Sequence, residues 1–316
     1  MAAIETHSRS ASGHMQRVVV IVLNHNKREM VLECLHSLER QAYRPCEIIV
    51  VDNASSDGSR AAIREHYPQI DLLCLDTNLG AIEGRNAGVA HARQWHEFDY
   101  LLFLDDDAET AVDSIRHLVN ALDADPAAGI ACGKTYIDFD SDTLMSAGIR
   151  EQFHLGLCYD RGAGKKDAGR YDRDEYVDAC GAFAFLIRAS LFEELGGFDS
   201  AFTPYGWEEV DLCLRARARG YRTRYVPAAH FAHKGTRLGR RPLPGYERNK
   251  AKNYLILLAR HTTLPQKLPA VIFASLRGLL LFARFAWQGN WSAIPAQLQG
   301  VRDYLLARNA RGTNPE

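Results

Sequence analysis

The sequence predicts an α/β protein: a doubly wound, mostly parallel sheet, a mixed second half, and a C-terminal helical extension. Three observations carry this prediction. Short β-branched or apolar runs alternate with helix-patterned segments across residues 17–110. Each run ends in Asn, Asp, Ser or Gly, where open parallel sheets bind ligands beyond their strand ends. From residue 247 onward the dominant pattern is helical.

The first run, Arg17–Leu23, is rich in valine and enters the polar triplet Asn24-His25-Asn26. A run of this kind reads as a buried parallel strand. Met30, Val31, Cys34, Leu35 and Leu38 then recur at helical spacing over 27–43. Glu47–Val51 is a second strand, ending in Asp52-Asn53-Ala54-Ser55-Ser56-Asp57-Gly58, before a helix at 59–66 and a strand near Leu72–Leu75. The order β-α-β-α-β describes a nucleotide-binding half.

The segment from Asp76 through Asn78, Gly80, Gly84, Arg85 and Asn86 to Gly88 opens a predicted helix at 86–94. Its glycines would let backbone approach an anion at the helix N-terminus, and a plain capped turn would use them equally well. It matches neither GxGxxG nor a Walker A loop.

Tyr100–Leu104 is fully apolar and stops abruptly in Asp105-Asp106-Asp107. Adjacent carboxylates repel one another, and partial burial is costly unless a cation or strong donors compensate. A divalent-metal site is one solution, since hard cations take oxygen ligands; an acidic solvated turn is the other.

A helix is predicted at 111–122, short strands and a mobile Gly/Lys loop at 161–169, and a buried strand after Cys180-Gly181-Ala182. The small residues suit either a sugar pocket or tight packing. Glu208, Glu209 and Asp211 occupy the first turn of a helix, where the dipole favours anions. Glu208 and Asp211 share a face at i, i+3 while Glu209 points elsewhere, so the three need not share a task. Trp207 beside them would stack on a sugar or pack in the core. A strand at Arg222–Val226 leads to His230 and His233, which alternation would place on opposite faces.

Composition narrows the function. With 316 residues and a net charge of −1, nothing argues for nucleic acid binding. Seven scattered cysteines without a CxxC pair read as buried thiols in a reducing compartment. Residues 1–16 read as a disordered lead-in or a tag remnant, and no secretory h-region is evident, so a cytoplasmic location is expected. The longest apolar region, Leu268–Trp287, is interrupted by Arg277 and Arg284, which makes it a poor spanning helix.

Taken in order, these motifs resemble the family 2 inverting glycosyltransferases of GT-A fold. The likeness is strongest to bacterial members that pass rhamnose, galactofuranose or similar sugars to cell-surface glycans. It covers roughly 17–260 and rests on six ordered signatures. These are Asn24-His25-Asn26; Val51-Asp52-Asn53-Ala54-Ser55-Ser56-Asp57-Gly58; the Asn78/Gly80/Asn86/Gly88 loop; Leu104-Asp105-Asp106-Asp107; Gly181-Ala182 followed by Gly196-Gly197-Phe198-Asp199 with Glu208-Glu209-Val210-Asp211-Leu212; and His233.

The resemblance implies a catalytic domain at 17–246, with a nucleotide-binding half at 17–110 and an acceptor half at 111–246, followed by an extension at 247–316. Asn24, Asn26, Asp52, Asn78, Gly80, Arg85, Asp105 and Asp106 would line the donor site. Asp52 would meet the base, and Arg85 the ribose or diphosphate. Asp105, Asp107 and His233 would hold Mn²⁺ or Mg²⁺. Glu209 stands where the family usually has the Asp of an "ED" pair and would be the base, although Glu208 remains open and Asp211 lies in the same turn. The donor would be a UDP- or dTDP-sugar, and the acceptor a glycan or polyprenyl-linked hydroxyl.

The basic stretch 234–246 reads as a lid or a linker. Helices are predicted at 247–260, 267–287 and 291–308. The second would touch the inner face of the plasma membrane, or pack on the domain or on a second copy. Two other functions compete: an Asp-nucleophile phosphohydrolase, which also uses a strand ending in DxD, and a non-catalytic sugar-nucleotide-binding scaffold.

Overall fold

The apolar runs of the sequence assemble into one ten-stranded sheet, seen in a computed structural model that describes residues 15–235 and 243–312. The first half is β1 (Val18–Asn24), α1 (Arg28–Glu39), β2 (Cys46–Asp52), α2 (Ser59–His66), β3 (Asp71–Cys74), α3 (Gly80–Trp95) and β4 (Tyr100–Asp105). The second half opens with β5 (Ala108–Thr110), α4 (Ser114–Asp123) and β6 (Ala128–Tyr136). Four short strands follow: β7 (Leu144–Ser146), β8 (Ile149–Gln152), β9 (Leu157–Asp160) and β10 (Glu175–Val177). Then come β11 (Ala184–Arg188), α5 (Ala189–Glu194), α6 (Glu208–Ala218) and β12 (Arg222–His233). The extension comprises α7 (Pro244–His261), α8 (Leu264–Trp287) and α9 (Ala293–Gly312).

The strands run in the order β10-β12-β6-β11-β4-β1-β2-β3, with β5 and β7 joined to β12 and β6; β8 and β9 form a separate ribbon. β3, β2, β1 and β4 are mutually parallel, and β11 turns the sheet antiparallel beside β4. Valines and isoleucines of β1 point alternately into two apolar layers, one on each face of the sheet. That explains why this strand reads as uninterrupted hydrophobe. The fold is mixed α/β with a central sheet and C-terminal helices, as the sequence predicts.

Helix α3 begins at Gly80, well before the predicted 86, so Gly84 and Gly88 lie inside it. Both serve packing. A Cβ at Gly84 would stand 2.6 Å from Leu23 Cδ1, and one at Gly88 2.6 Å from Val51 Cγ2. The helix therefore rests close on β1 and β2, and the glycine spacing reflects that contact.

Two other expectations change. Strand β12 continues past Val226 to His233, because a shift in register at Val226/His230 lets it pair onward with β6 and then with β5. The predicted mobile loop at 161–169 is tied down: Leu144 N–H donates to Lys165 O at 2.8 Å, and Lys134 pairs with Asp167 at 2.8 Å. The predicted lead-in, apart from its last two residues, and 236–242 of the basic stretch lie outside the described residues.

The extension docks through small residues. Gly156, at φ 59°, would carry a Cβ 2.7 Å from Ala274 N of α8, so helix and turn meet backbone to backbone. By length and composition alone α8, with a mean hydropathy of 1.6, could cross a bilayer, despite the arginines that argued otherwise. Its outward side is exposed at Leu268, Leu280 and Trp287.

Candidate active site

Strand pairing assembles the acidic cluster. β4 delivers Asp105 to its C-terminal end, the chain turns through Asp106 and Asp107, and β5 then pairs with β12 so that His233 faces Ala108. Lys234 N–H donates to Asp107 O at 2.9 Å and fixes that register. One ligand atom from each of Asp105, Asp107 and His233 lies within 4.8 Å of the others. His233 Nε2 is 3.0 Å from Asp107 Oδ1 and 3.7 Å from Asp105 Oδ2.

Two neighbours shape this cluster. The Phe183 ring stacks under His233 with centroids 5.2 Å apart. Gly181 is small because a Cβ there would overlap the Phe183 ring, which favours packing over sugar accommodation at this position. Gly235 is equally constrained, since a Cβ would overlap the Asp107 carboxylate. Neither Gly235 nor Phe183 was singled out in the sequence.

The residues fit a divalent cation. Two carboxylates and an imidazole are donors for such an ion. Asp107 Oδ1 is buried and makes no hydrogen bond, although His233 is its ionic neighbour. Burial pushes the Asp107 carboxyl upward, but His233 and then Lys27 overcome it and hold Asp107 well below the carboxylate range. Burial would lower the His233 value, yet Asp107 and Asp105 raise it. Lys27 Nζ bonds Asp106 Oδ1 at 2.8 Å and Asp107 Oδ2 at 2.5 Å. Asp106 itself is pushed up to about 6, chiefly by burial. With Lys27 on one oxygen and His25 N–H donating to the other at 3.1 Å, Asp106 ties the β1 loop to the cluster.

Arg85 is the second organiser. Only 4% exposed, it donates to Asp105 Oδ1 at 2.6 Å and to Glu208 Oε1 at 3.0 Å. The sequence pointed it at ribose or diphosphate; the fold sets it between two acids. Gly206 N–H also donates to Glu208 Oε2, so both Glu208 oxygens are engaged.

The three acids of α6 separate. Asp211 is fully buried, bonded by Arg215 Nε at 2.7 Å and His261 Nε2 at 2.8 Å, and holds α7 against α6. Its expected catalytic place is thereby corrected: its side chain does not line the cleft. Glu209 does. It is half-buried on the cleft wall; burial and then the Glu208 charge raise its pKa well above the ordinary value, which Arg85 and Lys250 only partly offset. Trp207, at φ 73°, holds a backbone conformation rare for a bulky residue and starts α6 at this point. Its Nε1 donates to Lys250 O at 3.2 Å, and Lys250 Nζ sits 5.1 Å from the rings of both Trp207 and Tyr246.

The loops after β1 and β2 divide by alternation. Asn24 Nδ2 donates to Asp52 Oδ1 at 2.9 Å, and Asn26 Oδ1 accepts from Ser56 N–H at 2.7 Å, so both hold the β1 and β2 loops together. His25 and Lys27, between and beyond them, line the cleft instead, and period-two alternation after β1 was the available signal. Asp52 is fully buried and bonded by Asn24, Ser55 and Arg60. Burial pushes it up, and those donors bring it below the usual carboxylate range. Asn53, Asn78 and Gly80 face the cleft; Asn53 clamps the turn by accepting from Leu79 N–H at 2.8 Å and donating to Gly80 O at 3.0 Å. Asn86 bonds Phe198 O and N–H, at 2.9 and 3.1 Å, which explains its pairing with the Gly196-Gly197-Phe198 signature.

These groups open onto one cleft of about 2210 Å³. A sequence model of the family described as "Glycosyl transferase family 2" matches residues 19–196. The chain belongs to glycosyl transferase family 2. It is 30% identical to the N-acetylglucosaminyl-diphospho-decaprenol L-rhamnosyltransferase of Mycobacterium tuberculosis, over 72% of this chain and 80% of that one. It is 26% identical to the rhamnosyltransferase WbbL of Escherichia coli, over 68% of this chain and 83% of that one. Among solved structures, a mannosyltransferase of Pyrobaculum calidifontis in complex with GDP-Man and Mn²⁺ superposes with TM-score 0.58 at 18% identity, over 94% and 89% of the two chains. TarS of S. aureus in complex with UDP-GlcNAc gives 0.59 at 13% identity, over 92% and 81%. This glycosyltransferase is thus an enzyme, and both the phosphohydrolase and the scaffold readings are set aside.

Proposed function

We propose that this family 2 enzyme is a metal-assisted, inverting transferase that moves a deoxyhexose of the rhamnose type from a UDP- or dTDP-linked donor to a glycan hydroxyl on a polyprenyl-linked acceptor. The observation that carries the reading is Glu209: a cleft-facing carboxylate free of ionic partners among the described residues, beside a Glu208 whose oxygens are both engaged. The two relatives named for rhamnosyl transfer support the sugar class, and the decaprenol in one name supports the acceptor class.

The nucleotide base would lie over the loops where Asp52, Asn53 and His25 meet, with Asn78 and Gly80 alongside. Lys27 would turn from Asp106 and Asp107 to the diphosphate. Asp105, Asp107 and His233 would hold the cation, which when bound stabilises the negative charge of the departing nucleoside diphosphate. Arg85 keeps Asp105 and Glu208 in place throughout. Glu209 accepts the proton of the acceptor hydroxyl as its oxygen bonds the anomeric carbon. The electrons of the breaking carbon–oxygen bond leave with the diphosphate, so one displacement inverts the centre. Here enclosure overcomes the dipole of α6, which by itself would favour the ionised form.

The exposed apolar side of α8 supports a place at the inner face of the plasma membrane. Thermal shift of wild type and Asp107→Ala against nucleoside diphosphates, with and without Mn²⁺ or Mg²⁺, tests the donor half. A ligand that binds only the native state raises Tm by mass action. A metal-dependent shift with dTDP or UDP, lost in the variant, is expected; equal shifts in both proteins would contradict the cation assignment.

A further inference from the structure

We propose that the prenyl chain of the acceptor lies in the part of the catalytic cleft walled by α7, α8 and α9, with its phosphate end toward Lys250. The inference rests on the lipid-linked acceptor proposed above and says where in this chain that lipid is held.

Size is the first argument. Small-molecule sites occupy roughly 300–1,000 Å³. A cleft of about 2210 Å³ is at least twice that, so a sugar nucleotide beside Asp105 and Asp107 leaves much of it to a second ligand. The α8 wall of this remainder is mostly apolar, with Ser275 and Arg284 its polar members beside Lys267. Its central row is Ala270, Ala274, Gly278, Phe282 and Phe285, at helical spacing, with Lys267 at the start of the row and Val271 and Leu279 toward the rim. Tyr304 of α9 and Tyr254 of α7 face the same space.

The shape and chemistry select the occupant. Ala270 and Phe285 are 2% and 4% exposed, so a flat bilayer does not reach this side of α8, in contrast with Leu280 at 72% on the other side. A polypeptide would bring backbone N–H and C=O groups that an apolar wall leaves unpaired. A thin hydrocarbon brings none. At the inner end, Lys250 stands over Trp207 and Tyr246, next to the turn that carries Glu209, where the phosphate of a prenyl-linked glycan would need a cation. Gly278 supplies the opening: a Cβ there would have no atom within 4 Å.

The test uses the full chain and prenyl diphosphates of increasing length, read by calorimetry in detergent-free buffer, with inorganic diphosphate as control. Affinity is expected to rise at least tenfold from geranyl to geranylgeranyl diphosphate. Gly278→Trp, which fills this part of the cleft, should remove that gain, and Leu280→Glu, on the outer side, should keep it. The inference is overturned by affinity independent of chain length, by binding no tighter than that of inorganic diphosphate, or by a Gly278→Trp protein that retains the gain. A failure of the proposed reaction is separately visible. It would show as no glycosyl product from any prenyl-linked acceptor, while the chain-length dependence and its loss in Gly278→Trp persisted.

Discussion

At the scale of single residues, the two adjacent glutamates at the start of α6 have opposite circumstances. Arg85 and the Gly206 N–H hold Glu208, whereas Glu209 meets the cleft with a raised pKa. A base must be ionised to accept a proton, so activity should fall as pH drops through the Glu209 pKa. The acid limb of kcat/KM is therefore expected above the ordinary glutamate range, and a limb at or below that range would contradict it. The stability sign runs the other way. A folded-state pKa raised above the unfolded value contributes stability below the unfolded pKa, and that contribution is lost as pH rises through the folded one. Glu209→Gln should consequently melt no lower than wild type at neutral and alkaline pH. Gly235 offers a second residue-scale check. A methyl there overlaps Asp107, so Gly235→Ala should weaken the Mn²⁺-dependent thermal shift at least tenfold in metal concentration. An unchanged metal titration would show that Asp107 tolerates displacement.

At the scale of elements, close helix–sheet packing sets how α3 lies on β1 and β2. Gly88 admits β1 and β2 so near that Gly88→Val would push its side chain into Val51 and Ile21. Overpacking of this kind costs about 1–3 kcal/mol, which urea denaturation of the folded chain would measure; a loss below about 0.5 kcal/mol would mean that α3 can shift freely. The elements also show what a sequence can disclose. Strand β1 and the run into Asp105 were legible because burial on both faces leaves a continuous apolar stretch. The DxD and His233 were legible as residue types, but their meeting was not, because it depends on β12 crossing its irregularity to pair with β5. Likewise Gly84 and Gly88 suited either a ligand-approach loop or a plain capped turn, and neither reading anticipated the tight helix–sheet contact, since one sequence gives the same letter for all three. Asp211 looked like a third functional acid until His261, fifty residues on in a separate helix, was seen to claim it.

At the scale of the whole molecule, one sheet joins the two halves of the chain, and residues of the helical extension line part of the cleft. The resemblance visible in the motifs and the matched family agree on a glycosyltransferase, and the long apolar row of α8 has a structural place that composition alone did not define. What links the scales is the separation of the acids in α6: Glu208 is held by Arg85, Asp211 docks α7, and Glu209 faces the cleft, where we propose it as the base. Transfer by Glu209→Gln tests that division most directly, measured as sugar delivered to a prenyl-linked acceptor beside a check of Mn²⁺-dependent nucleotide binding. Transfer should fall by about 10²–10⁴-fold with nucleotide binding kept, the range typical of a lost general base. Near-wild-type transfer by Glu209→Gln, with nucleotide binding intact, would contradict the account.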